Sequence, residues 1–201
     1  MSDEKRMNII ILSVGGVVAV GVSVLSVLGG QSGRSSSSGS LQGLQETKAP
    51  WQPEYKFLAE RIKAANIPPP GRETYHVHAR MNVYAEGKQV PVPLNVGIDQ
   101  KTRTMSALHT HDAEGIIHIE ADVPREVKLS EFFTIWGVKF SKDQLGGYKN
   151  EGGNTVQVFV NGKPVDDPEN YIVKPKDLIN VGYGAAGSVP AAQSEPFPKD
   201  L

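Results

Sequence analysis

Between Tyr75 and Ala85 the sequence alternates residue by residue, and this constrains the fold more than any other stretch. Tyr75, Val77, Ala79, Met81 and Val83 fall on one side, while His76, His78, Arg80 and Asn82 fall on the other. A period of two is that of a β-strand, whose side chains point to opposite faces in turn. A strand with one apolar face has to bury it, so the chain requires a sheet packed over a core.

Turn signals place the remaining elements. Glu86-Gly87-Lys88 reads as a turn, and Gln89 to Ile98 returns as a second strand, edge or irregular because of Pro91 and Pro93. Ser106 to His111 and Gly115 to Ala121 read as short strands or a hairpin around Asp112-Ala113-Glu114-Gly115. Leu129 to Trp136 reads as a short helix with Ser130 as N-cap and Gly137 as its stop. Phe132, Phe133 and Trp136 share its apolar face and belong to the core. Val156 to Val160 followed by Asn161-Gly162-Lys163 is the strongest hairpin signal in the chain, and Ile179 to Tyr183 is a last short strand. One helix across a small mixed sheet is an α+β arrangement. Its closing pattern, Val160-Asn161-Gly162 and later Lys176 to Gly184, looks like the end of β-grasp (ubiquitin-like) modules.

Ahead of this domain, Ile9 to Leu28 is an apolar run without a charge. As a helix it is roughly 30 Å long, about the thickness of bilayer hydrocarbon. Lys5 and Arg6 precede it and Arg34 is the only nearby charge behind it, so residues 1–30 read as a single transmembrane anchor with a cytoplasmic N-terminus. The rival is a cleaved signal peptide, against which the length of the run and the lack of an Ala-x-Ala site both count. Gly15, Ala19 and Ser23 form a small-residue stripe, either a packing face for another membrane helix or ordinary anchor composition. Residues 31–52 read as a flexible Ser/Gly-rich linker, giving a tether of roughly 25 Å. Residues 53–71 read as a lead-in amphipathic helix carrying Tyr55, Leu58, Ile62 and Ala65, stopped by Pro68-Pro69-Pro70-Gly71. It docks either on its own domain or on a partner. The domain then runs over 72–184, and 185–201, rich in Ala, Pro and Ser, is expected to be a disordered tail.

The net charge of −1 offers no electrostatic case for nucleic acid. With no cysteine, thiolate metal sites, Fe–S clusters, disulfides and thiol catalysis are excluded. Neither a phosphate-binding glycine loop nor a serine in a nucleophile-elbow context occurs.

The five histidines all lie within residues 76–118. His76 and His78 share a strand face, His109 and His111 share another, and His118 stands between Ile117 and Ile119, pointing away from the core they enter. Residues i and i+2 on a strand are roughly 6.5–7 Å apart at Cα, so their imidazoles can converge on one ion. Imidazole without thiolate favours Cu(II), Zn or Ni over Cu(I). Asp112, Glu114 and Glu120 are candidates to orient the rings. Two other readings stay open: a polar network that braces the loop after His111, and a zinc enzyme with three histidines and an open water position.

These residues resemble a family of exported, membrane-anchored prokaryotic proteins. The likeness covers about residues 74–184. It rests on His76-Val77-His78-Ala79, Leu108-His109-Thr110-His111-Asp112, Gly115 to Glu120, Glu131-Phe132-Phe133 with Trp136-Gly137, and Val160-Asn161-Gly162. The resemblance implies an extracytoplasmic location and the extent of the domain, and no reaction. Some members carry cysteine near Met105 and Gly146, so a thiol-assisted site is not available to this chain. Single-span exported proteins of this form are also similar to accessory subunits of actinobacterial respiratory complexes.

The expectation from sequence is therefore a membrane-tethered extracytoplasmic module. It would bind copper or zinc, copper favoured, through His76, His78, His109, His111 and His118, and serve an integral membrane partner such as a copper-containing oxidase. The alternative is a non-catalytic structural accessory subunit of a respiratory-type membrane complex. No catalytic residue is assigned.

Overall fold

A computed structural model describes residues 41–71, 74–193, 196–199 and 201. In chain order the elements are α1 (Leu58–Ala64), β1 (Tyr75–Ala85), β2 (Lys88–Val90), β3 (Ile98–Asp99), β4 (Thr104–Met105), β5 (Leu108–His109) and β6 (Ile116–Ala121). These are followed by α2 (Leu129–Trp136), β7 (Phe140–Ser141), β8 (Gln144–Leu145), β9 (Tyr148–Lys149), β10 (Thr155–Val160), β11 (Lys163–Pro164) and β12 (Leu178–Gly184).

The main sheet runs β11-β10-β12-β1-β6-β5, with β2 paired to β1. Strand β1 is its centre, parallel to β12 and antiparallel to β6 and β2. The alternation read from the sequence is what aligns the core. Ala79 pairs with Ile117, Val77 with Ile119, Met81 with Ile179 and Val83 with Val181, so the apolar residues of three strands enter one face. Val158 and Val160 extend that face on β10, opposite Val181 and Ile179. Helix α2 covers it with Phe132, Phe133, Ile135 and Trp136, all buried. Its N-cap is Lys128 rather than Ser130. The Glu131 carboxylate accepts the Lys128 N–H at 2.9 Å, while the Ser130 hydroxyl, already inside the first turn, donates to Glu169 O at 2.6 Å. Gly137 ends the helix in the left-handed region, as expected.

The expected fold class requires correction. Among the described residues the chain is sheet-rich, with a long mixed sheet, two further small sheets and two short helices, in place of one helix on one small sheet. Among the described residues no helix is long and apolar enough to cross a membrane. The expected anchor at 9–28 and the Gly15, Ala19, Ser23 stripe lie outside the described residues. The second strand stops at Val90, and Ile98 joins a separate two-stranded sheet. Pro91 and Pro93 have no N–H to continue the ladder.

The described parts of both expected flexible segments differ as well, while residues 31–40 of the linker lie outside the described residues. Residues 41–52 pack against the domain, because Trp51 is buried edge-on against Trp136 at 6.0 Å between ring centroids. The lead-in helix forms only over Leu58–Ala64. It docks on its own domain through Arg61, which is fully buried and donates to Thr134 O at 2.7 Å, to Glu54 O and to the Glu54 carboxylate. Beyond Gly184 the chain lies along the outer face of the sheet. Asn180 Nδ2 donates to Pro190 O at 2.7 Å, and Gln193 Nε2 donates to Ile179 O at 2.9 Å. Its composition suggested disorder, but these main-chain acceptors and the buried Val189 hold it.

Candidate metal centre

The outer face of the sheet carries the histidines, and strand register brings them together. On β1 and β6, His78 stands opposite His118 and His76 opposite Glu120. On β5 and β6, His109 stands opposite His118. Directly opposed side chains in an antiparallel pair are close neighbours. His118 is therefore the middle of a row of three imidazoles across three strands, and Glu120 follows it by one period of the same face. His111 comes from the loop after β5, which Thr110 secures. The Thr110 hydroxyl donates to Pro93 O at 2.9 Å and accepts the Val96 N–H at 3.1 Å. Gly115 lets the returning loop reach β1. It has a φ of 78°, and a Cβ there would fall 2.1 Å from Met81 O.

All five histidines expected from sequence lie in this cluster. His118 Nδ1 is 3.2 Å from His76 Nε2 and 3.1 Å from His78 Nε2. His109 Nε2 is 3.1 Å from His111 Nε2. Glu120 Oε1 is 3.2 Å from His76 Nε2, 3.4 Å from His109 Nε2 and 3.8 Å from His118 Nδ1. Donors on one tetrahedral ion at bonds of about 2.0–2.1 Å stand about 3.3 Å apart. The shorter contacts match that spacing.

Glu120 holds a different place from the one expected. Its carboxylate lies among the ring nitrogens as a direct donor, whereas sequence reading gave it only a ring-orienting role. The signal was present, since Glu120 shares a strand face with His118. Asp112 and Glu114 are exposed, and Asp112 Oδ1 accepts the Glu114 N–H at 2.8 Å, which shapes the loop.

The protonation states suit cation binding. Burial pushes His109 down to about 4 and His118 down to about 3, and the neighbouring imidazoles push further in the same direction. Burial, followed by the charge of His76, also lowers His78. These rings are neutral near pH 7 and keep a lone pair. The Nδ1–H of His109 donates to Ser106 O at 2.9 Å, which leaves Nε2 as its open donor toward His111 and Glu120.

His118 Nδ1 is approached by two ring nitrogens, yet one imidazole nitrogen has one lone pair or one proton and serves one of them well. A cation accepts a lone pair from each. Two overlapping groups, His109-His111-His118-Glu120 and His76-His78-His118, each keep their donor atoms within 4.8 Å of one another. The outer face thus holds buried histidine and glutamate clusters that can hold a metal ion.

No protein-family model, curated protein or solved structure matches this chain.

Proposed function

We propose that the protein is a histidine-rich metal-binding module, with copper(II) as its ion. The observation that carries this reading is the convergence of five imidazoles and one carboxylate on a single sheet face, with one nitrogen facing two others. Nitrogen donors without thiolate suit Cu(II), Zn(II) and Ni(II), and Cu(II) stands highest in the affinity order for such sites. An ion held for a membrane-bound recipient belongs to the same proposal. Its support is the charge-free run Ile9 to Leu28 with Lys5 and Arg6 before it.

Isothermal titration of the full-length chain with Cu(II) and Zn(II) tests the reading. Binding that is lost in whole or in part when His109 and His111 become Ala supports it. Absence of binding to the wild-type chain, or stoichiometry and affinity both unchanged in that variant, rules it out.

A further inference from the structure

We infer that the cluster is a two-ion centre in which the Glu120 carboxylate is shared between the ions. The inference rests on the metal-binding reading above and adds the number of ions and the way they are joined. Six donors are present, whereas a tetrahedral ion takes four. Around one ion at bonds of about 2.1 Å, no two donors stand more than about 4.2 Å apart. The six do not gather into one such set; they divide into the two groups of three and four, and His118, common to both, has one Nδ1 lone pair and serves the ion of His76 and His78.

Each group has the spacing of its own coordination sphere. In the first, His118 Nδ1 stands 3.2 and 3.1 Å from His76 Nε2 and His78 Nε2. In the second, His109 Nε2 stands 3.1 Å from His111 Nε2 and 3.4 Å from Glu120 Oε1. Glu120 Oε1 also reaches the first group, at 3.2 Å from His76 Nε2. The joint is therefore a carboxylate, and it is nearly buried. Negative charge between two divalent ions offsets their repulsion, which is why carboxylates bridge paired metals about 3.5–4 Å apart.

Both groups have access to solvent. The first borders a cavity of about 100 Å³ lined by His76, His78, Pro175, Lys176, Phe197 and Leu201. That volume has room for about three waters at about 30 Å³ each, so the first ion can take a small exogenous ligand. The second group reaches solvent through the exposed His111, as the first also does through the exposed His76.

The test is copper stoichiometry on the full-length chain after removal of unbound metal, together with electron paramagnetic resonance of the Cu(II)-loaded protein. The expected result is two ions per chain and a spin signal well below the bound copper, because the shared carboxylate couples the two spins. The His76→Ala/His78→Ala and His109→Ala/His111→Ala variants should each retain one ion with a full, uncoupled signal. One ion per wild-type chain overturns the two-ion inference and leaves metal binding standing. Two ions with a full signal overturn the shared carboxylate. No bound copper removes this inference and the functional reading together. The wild-type stoichiometry decides the matter even where a double variant fails to fold.

Discussion

His118 Nδ1 lies 3.1 Å from His78 Nε2, across an antiparallel pair in which the two residues stand directly opposite each other. The same nitrogen lies 3.2 Å from His76 Nε2, so His118 is the hinge of the whole cluster. Replacing His118 with Ala should raise the Cu(II) dissociation constant by at least about 100-fold, the upper end of what losing a mere supporting residue does. Competition against a chelator of known affinity measures it. A change under tenfold would take His118 out of the ligand set.

Acid should destabilise the metal-free protein. His109 and His118 are pushed down to about 4 and about 3, from an ordinary value near 6.5. Between these limits the unfolded chain binds protons that the folded chain refuses, so stability rises with pH there. It should be level above about pH 7 and fall as pH drops through 6.5 toward 4. Urea unfolding of chelator-treated protein at several pH values checks this. A profile flat between pH 7 and 5 would contradict it.

Arg61→Met should destabilise the fold by about 3–5 kcal/mol, the usual consequence of removing one partner from a buried ion pair. Arg61 is fully buried, pairs with Glu54 and holds the Thr134 carbonyl at 2.7 Å near the end of α2. Denaturant midpoints measure the loss. A cost under 1 kcal/mol would mean that α1 is only loosely docked.

Trp51→Ala should cost about 3–5 kcal/mol, the range for emptying a large aromatic site in a core. Trp51 touches Trp136 and Tyr148 edge-on, and its Nε1–H donates to Thr47 O at 2.8 Å. Thermal unfolding monitored by tryptophan fluorescence would show it. A neutral substitution would return residues 41–52 to the role of a linker.

Gly115→Ala should cost at least the 1–3 kcal/mol typical of a side chain forced into the left-handed region. The added Cβ would also meet Met81 O, and Met81 N donates to Gly115 O at 2.8 Å in the same contact. The loop carrying Gly115 leads into β6, so Cu(II) affinity should fall along with stability. Parallel melting and metal titration separate the two effects. Unchanged affinity would show that β6 holds its register without this contact.

Strongly periodic or turn-marked elements were legible from sequence. β1 matches its alternation, α2 its expected limits, and the β10–β11 hairpin its Asn161-Gly162 turn. Segments whose order comes from one distant partner were not. Nothing local shows that Trp51 meets Trp136, or that Pro190 O accepts from Asn180. Composition there pointed to flexible chain, and tertiary contacts overrode it.

Sequence by itself determined which faces His76, His78, His109 and His118 occupy, because a strand's side chains alternate whatever it pairs with, whereas His111 comes from a loop. Tertiary structure alone decided that those faces adjoin and that His76, His78, His109 and Glu120 all meet at His118. Register between strands about forty residues apart is a property of the assembled sheet. A slip of one residue would send one strand's donors into the core, and the burial of Ala79, Met81, Ile117 and Ile119 on the opposite face is what prevents it.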